Sequence, residues 1–412
     1  MMTSKPTPAN SAYVWVWLPG QSQPVVAGQV VKQGALHRFT YGRRYRERED
    51  AIALSPFELP LRSGTFTPEG MNTLHSCLRD AAPDAWGRRV ISYQYAHFTP
   101  DELDYLLLSG SDRIGALDFQ ASGSEYQPRQ SQPPRLQDLL TAAELVEQRQ
   151  PLPPELDFAL LHGTSVGGAR PKALIQDGQR SYIAKFSSST DNYDIVKAEY
   201  VAMQLAKLAG LAVAETSLLS VLGKDVLLVG RFDRAPLPAG QSSRRLLLSG
   251  LSLLGLNEME ARYASYRDLA DVIRQHFADP QASLRELFQR LVFNILIGNT
   301  DDHARNHAAF WDGKHLRLTP AYDLCPQLRA GREATQAMQI GGVQGNFSTL
   351  ENALSVCTAF QLTPASAREL IEQQVAMIRQ HWDSACDAAG LAAAERGRLW
   401  QRAVFNPFCF GG

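Results

Sequence analysis

The chain is short of cysteine, lacks a charge bias and has no long apolar run. Its 412 residues include five cysteines, Cys77, Cys325, Cys357, Cys386 and Cys409. Their odd number, wide spacing and lack of a C-x-x-C pair argue against a disulfide frame or a zinc site, and point to reduced thiols in a cytoplasm. Lys and Arg number 41 against 42 Asp and Glu, a net charge of −1. Chains that grip nucleic acid unaided carry a basic excess, so any DNA contact is expected to be local or made through a partner. No apolar run reaches the length of a membrane span. The opening Met-Met-Thr-Ser-Lys-Pro-Thr-Pro lacks the apolar stretch of a secretory signal. A cytoplasmic chain without a membrane role is therefore expected. There is no internal repeat, no Walker A sequence and no G-x-G-x-x-G. What remains is 44% apolar and 20% charged, an ordinary globular balance at a length that suits two or three domains.

The most informative stretch is Ile295-Leu296-Ile297-Gly298-Asn299-Thr300-Asp301-Asp302-His303-Ala304-Arg305-Asn306. A helical pattern from Leu284 to Ile297 breaks at Gly298 into polar residues, where Asp301 and Asn306 stand as D-x-x-x-x-N. Two short strand-like runs follow, Ala308–Trp311 and His315–Leu318, turned at Asp312-Gly313, and then Tyr322-Asp323. Phosphoryl transfer needs a carboxylate to receive or orient the acceptor proton. It also needs an amide oxygen and a second carboxylate to hold Mg²⁺ on the ATP phosphates. The spacing alone arises by chance about once in a chain this long, and a helix C-terminus with a solvated loop accounts for it equally well. The decision therefore falls to the order of the other motifs.

Residues 1–125 read as an N-terminal β-rich subdomain. Ala12–Leu18, Pro24–Val31, Ala35–Tyr41 and Ala51–Leu54 suggest a small antiparallel sheet, with helices at Asp84–Tyr95 and Asp101–Leu108 and a returning strand at Ile114–Gln120. Within Arg79–Arg89, Asp84 and Trp86 suit a helix cap and a packing anchor, or else a contact surface for a partner or the second domain. Residues 135–250 begin with an amphipathic helix, Leu136–Glu147. The small-residue run His162-Gly163-Thr164-Ser165-Val166-Gly167-Gly168-Ala169-Arg170-Pro171-Lys172 follows, and then β-runs Lys172–Gln176 and Ser181–Phe186. Such a loop lets backbone N–H groups approach phosphates. Lys185 on the second run stands where a kinase puts its phosphate-holding Lys, unless it simply faces solvent. Glu199, on the helical run Asn192–Leu208, is its candidate ion-pair partner or an exposed charge. A second hairpin, Ala214–Leu222 and Asp225–Phe232, ends in Gly230-Arg231-Phe232-Asp233-Arg234. That stretch is either a hinge whose backbone meets adenine or a surface salt-bridge cluster. In residues 251–412, Tyr266–His276, Gln281–Ile297, Thr363–Ala388 and Ala392–Val404 have helical spacing. Ala330–Thr349 has none, and reads as an activation-like loop, a substrate platform or an ordinary loop.

The order Gly-rich hairpin, strand Lys, helix Glu, hinge, helical lobe, D-x-x-x-x-N and Tyr-Asp is that of a kinase, and its wording resembles one family. Ser165–Lys172, Val229–Arg234, Thr300–Asn306 and Leu318–Asp323 resemble the motifs of the HipA-type serine/threonine kinases, toxins of bacterial type II toxin–antitoxin pairs. Arg79–Arg89 is similar to that family's N-terminal subdomain. The resemblance covers nearly the whole chain. It implies an α+β fold, with a two-lobed protein-kinase-like core, an N-terminal β-rich subdomain and a mostly helical C-lobe. It implies Asp301 as the catalytic residue and Asn306 and Asp323 as Mg²⁺ ligands. ATP would be held by Gly167, Gly168, Ala169, Arg170, Lys172 and Lys185 and by the hinge Gly230, Arg231 and Phe232, together with Asn306 and Asp323. His303 belongs to the same set as a loop-orienting residue. Ser165 falls where the family carries a self-phosphorylated serine. A phosphoserine there repels phosphate and silences the enzyme.

The resemblance further implies a HipB-like DNA-binding antitoxin, DNA contact only through it, and a protein substrate such as an aminoacyl-tRNA synthetase. Four positions at three sites depart from the pattern. Arg170-Pro171 removes a backbone donor, Asp302 replaces a usual Gly and puts a second carboxylate beside the metal site, and Gly230 replaces a larger hinge residue. A small-molecule kinase and a catalytically dead module of a repressor complex are the rival readings.

Overall fold

The structure, a computed structural model, describes residues 8–411 except 96, 130–134, 149, 151–152, 154–169, 179, 189–190, 330, 332 and 343. The chain divides into two compact units. One comprises residues 1–190, 220–248 and 311–313, the other residues 191–219, 249–310 and 314–412. The fold class is α+β and kinase-like, as the resemblance implied.

In the first unit, β-branched and aromatic residues alternate along β1 (Ser11–Val16), β2 (Val25–Gln33) and β3 (Leu36–Tyr41). With β4 (Thr65–Phe66) and β5 (Leu117–Gln120) they form an antiparallel sheet of order β4-β3-β2-β1-β5. Residues 51–54, expected to be a strand, form none, and Thr65–Phe66 takes the edge beside β3 instead. Helix α1 (Ala85–Gln94) starts where Asp84 accepts from the Trp86 and Gly87 N–H groups. Helix α2 (Glu102–Leu108) starts at a reciprocal capping box of Asp101 and Asp104. Such caps satisfy donors that a helix start would otherwise orphan.

A second sheet follows helix α3 (Leu136–Glu147). It contains β6 (Lys172–Asp177), β7 (Arg180–Phe186), β8 (Thr216–Val221) and β9 (Lys224–Gly230), in the order β6-β7-β9-β8. The register pairs Ala173 with Ala184 and Ala184 with Leu228. These residues share one face, and they pack with Phe186 and Val226 against Leu139, Leu140, Ala143 and Val146 of α3 and against Trp86 and Val90 of α1. Trp86 is therefore a packing anchor, and it joins the N-terminal segment to the second sheet. The same register aligns Lys172, Lys185 and Leu227, which places both lysines on the opposite face because strand side chains alternate.

The second unit is mostly helical. Its main helices are α4 (Ile195–Leu208), α5 (Tyr266–His276), α6 (Pro280–Ile297) and α7 (Pro364–Ala388). Asp279 caps α6 and Pro280 opens it, where the missing N–H costs nothing. From Leu287 to Ile297 almost every residue of α6 is buried, so it is the core helix of the unit. It ends at Gly298 with φ 69°, where a Cβ would stand 2.5 Å from the Ala403 carbonyl oxygen. Only glycine fits that turn. The strands Ala308–Trp311 and Leu316–Leu318 follow. All five cysteines are buried, and none is in a disulfide. No helix among the described residues is long and apolar enough to cross a membrane.

Candidate active site

Gly298 turns the chain out of α6 into the D-x-x-x-x-N loop, and the loop is anchored from below. The Asn299 N–H donates to the Asn294 carbonyl at 2.9 Å, and its side-chain amide donates to Asn294 Oδ1 at 2.9 Å. Both residues are buried. Within Ala330–Thr349, for which an activation-like loop, a substrate platform or an ordinary loop was expected, Ala337 and Met338 brace the D-x-x-x-x-N loop. Ala337 N–H donates to the Thr300 carbonyl (3.0 Å) and Met338 N–H to that of Asp302 (3.3 Å), while Met338 and Ile340 are fully buried.

Asp301 sits at the exposed rim of this loop. Partial burial of its carboxyl raises its pKa above the usual carboxylate range, and the nearby charges of Asp323 and Asp302 raise it further against the opposing pull of His303. Asn306 is buried, and its Nδ2 donates to the Asp301 carbonyl at 3.2 Å. That bond fixes the amide orientation, so Oδ1 is left as an oxygen donor of the kind Mg²⁺ selects.

Asp323 arrives on a strap held at several points. The buried Arg290 guanidinium donates to the Thr319 carbonyl (2.7 Å) and pairs with Glu286 at 2.9 Å. Ala321 exchanges backbone bonds with Ala212 and Ala214. Tyr322 Oη donates to the Arg305 carbonyl (2.7 Å), and Asn299 Nδ2 to the Asp323 carbonyl at 3.4 Å. Asp323 itself is left-handed, at φ 61°. A non-glycine residue held there costs about 1–3 kcal/mol and concentrates at functional sites. Within one unit the fold therefore gathers Asp301, Asn306 and Asp323, which lie 22 residues apart in sequence at most. No cluster of three His, Cys, Asp or Glu side chains suited to a metal occurs among the described residues. The oxygens expected to meet the metal, the Asn306 amide and the Asp323 carboxylate, are of the kind that suits Mg²⁺, an ion held by few protein groups plus phosphate oxygens and water.

Asp302 does something the sequence reading did not anticipate. Its carboxylate is buried and turned away from the rim, where it accepts from Tyr266 Oη and from His307 Nε2 at 3.0 Å. The Tyr266 and His307 rings meet edge to face, with centroids 5.4 Å apart. Burial, and then the Asp302 charge, push the Tyr266 hydroxyl pKa well above its ordinary value. Asp302 thus spends its carboxylate on pinning the loop to Tyr266 of α5 and to His307. His303 precedes the short turn Ala304–Asn306, and its carbonyl accepts from the Asn306 N–H at 2.8 Å.

The first unit holds the remaining candidates. Lys185 is partly buried on β7. Lys172 is almost fully buried, and its Nζ lies 3.7 Å from Asp84 Oδ2. Arg170 is described and partly buried, while Ser165, Gly167, Gly168 and Ala169 lie outside the described residues. At the hinge, Arg231 N–H donates to the Ser181 carbonyl at 2.8 Å, and the Arg231 side chain is wholly buried with Asp233, Arg234 and Asp112. The expected surface salt bridges are a buried cluster instead. The missing signal was Asp112, more than a hundred residues away.

Comparison with known proteins covers most of the chain. Residues 164–382 match the family model of the HipA-like C-terminal domain, and residues 16–120 that of the HipA N-terminal domain. The chain is 27% identical over 241 residues to the serine/threonine-protein kinase toxin HipA of Shewanella oneidensis, a match covering 52% of this chain and 54% of that protein. It spans about half the length of that relative. It is also 27% identical over 311 residues to the Sinorhizobium fredii protein Y4mE, covering 69% of this chain and 71% of that one. The solved complex of Shewanella oneidensis HipA, HipB and operator DNA contains a chain of the same fold. The TM-score is 0.71 and the identity 20%, covering 95% of this chain and 96% of that one.

Proposed function

Because the chain belongs to the HipA family, we propose that it is an ATP-dependent serine/threonine-protein kinase, the toxin of a type II toxin–antitoxin pair. One observation carries the reading. Asp301, Asn306 and Asp323 converge on a loop and strap that are fixed from beneath, with the Asn306 amide turned to leave Oδ1 as a ligand and Asp323 held in a strained backbone state. Asp301 accepts or orients the proton of the acceptor hydroxyl, and its raised pKa suits that work. Asn306 and Asp323 hold Mg²⁺, which when bound neutralises charge on the ATP phosphates. Lys185 supplies a further positive charge to those phosphates. Lys172, Arg170 and the residues Gly167, Gly168 and Ala169 are the further groups of this proposal for binding ATP.

The adenine meets the turn Gly230–Phe232. Within that turn the Arg231 N–H donates to the Ser181 carbonyl and its guanidinium lies in the buried cluster. His303 orients the loop. Phosphorylation of Ser165 silences the enzyme by putting nearly two negative charges where phosphates bind. The chain works in three parts, residues 1–125, 135–250 and 251–412, in a bacterial cytoplasm. Its partner is a HipB-like DNA-binding antitoxin, in keeping with the company of the Shewanella HipA in its solved complex. Its substrate is a protein, with an aminoacyl-tRNA synthetase as the first to try.

Mass spectrometry of the intact chain and its peptides after incubation with Mg-ATP, beside Asp301→Asn, tests the proposal. One phosphate on Ser165 in the wild type and none in a folded Asp301→Asn is the expected result. ATP bound without any turnover points to a dead binding module. Turnover on a small hydroxylated acceptor, with no arrest of growth on expression, points to a small-molecule kinase. Undiminished transfer by Asp301→Asn refutes the catalytic assignment.

A further inference from the structure

The turn Gly230–Phe232 is held from two sides inside the first unit. On one side its Arg231 N–H is bonded to Ser181 of β7, the strand that also carries Lys185. On the other side the Arg231 guanidinium, fully buried, reaches across to the loop before β5. Its Nε and NH2 donate to the two Asp233 oxygens at 2.9 and 2.7 Å, NH1 to Asp112 Oδ1 at 3.1 Å, and NH2 to the Arg113 carbonyl at 2.6 Å. Arg234 donates to Asp112 Oδ1 and to the Arg113 carbonyl, both at 2.6 Å. Asp233 Oδ2 accepts from the Gly115 N–H at 2.7 Å. Three guanidinium groups, Arg231, Arg234 and Arg244, face the carboxylates of Asp112 and Asp233, and a buried cluster of this kind is costly to leave with one charge unmatched. Bidentate guanidinium geometry fixes direction as well as distance. The position of the turn is therefore set by Asp112, a residue of the N-terminal subdomain, as much as by its own strand.

We propose that Asp112 is a positioning residue for the nucleotide. Through Arg231 and Arg234 it holds the adenine-facing turn in register with the Lys185 strand, so the N-terminal subdomain sets ATP affinity. The inference rests on the hinge reading of the preceding subsection and names a residue that reading leaves out.

Asp112 is the accessible member of the cluster, with 32% of its side chain exposed, so Asp112→Asn removes the charge with little change of shape. The test is ATP binding by titration calorimetry on the full chain, alongside the phosphoryl-transfer rate at saturating Mg-ATP. Charge-assisted bonds of this kind support an expected loss of about tenfold in ATP affinity, with the maximal rate within about twofold of wild type. Arg88→Ala is the control. It breaks the Arg88–Glu102 pair of the same subdomain without touching the turn, and it should leave ATP affinity unchanged. Equal affinity in wild type and Asp112→Asn, or an equal loss in both variants, overturns the inference and leaves the cluster a structural weld. Should Asp112→Asn fail to fold, Asp112→Glu carries the test. It keeps the charge and moves the carboxylate by one methylene, and wild-type affinity there is equally fatal. A wild-type chain that binds no ATP brings down the kinase reading itself, and this inference with it.

Discussion

Asp302 shows how one residue can be read correctly in place and wrongly in role. Its position beside Asp301 suggested a second metal-site carboxylate, yet it is spent on Tyr266 and His307. Sequence could not decide this, because Tyr266 lies 36 residues away on another helix. Hydrogen bonds to a buried charged group contribute more than neutral ones. Tyr266→Phe, which deletes one of two donors to that carboxylate, is thus expected to lower unfolding stability by about 1.5–3 kcal/mol. Urea denaturation checks it. A change within a few tenths of a kcal/mol would mean that the pair does not hold the loop. Asp301 and Asn306 were readable only as a spaced pair, at the spacing that phosphoryl transfer uses. Asp323 was legible as a motif, and its left-handed backbone was not.

At the scale of elements, the helices came through almost as spaced. The periodic runs Leu136–Glu147 and Tyr266–His276 match their helices end to end, because an amphipathic stripe is a local signal. The first sheet was legible as strands but not in its edge, where Thr65–Phe66 replaced residues 51–54. Edge pairing depends on what the loop can reach, and no local pattern records it. The hinge turn belongs here too, since β9 delivers Arg231 and Asp233 together. Burial alone would raise the Asp233 pKa, but Arg231 and Arg234 outweigh it and bring it down to about 2. A carboxylate whose folded pKa is depressed stabilises above its ordinary pKa near 4, and that stability is lost as pH falls toward the folded value. Asp233 is therefore expected to contribute about 2 kcal/mol at neutral pH and to surrender it between about pH 4 and pH 2. Denaturation of wild type and Asp233→Asn across that range tests this. The variant should be weaker at pH 7 and show a shallower acid slope, and parallel curves would refute it.

On the scale of the whole molecule, neither unit is one continuous segment. Strand β9 pairs with β7 inside the second sheet but comes after the entire helix α4. Helix α4 in turn packs on α7, more than 150 residues later. A fragment of residues 1–190 therefore lacks the inner strand of its sheet, and one of residues 249–412 lacks a helix of its core. Both are expected to be unfolded or insoluble when expressed alone. Circular dichroism and limited proteolysis would show it, and a protease-resistant 249–412 fragment with native helix content would contradict it.

The sequence by itself determined the helices and the order of the kinase-like motifs. Those depend on spacing along the chain, which hydrophobic period and reaction chemistry both constrain. Tertiary structure alone decided which buried charges answer one another. It put Asp302 on Tyr266 and His307, and Arg231 on Asp112. A buried ion is tolerated only where a partner stands within hydrogen-bond reach, and the identity of that partner is a property of the fold.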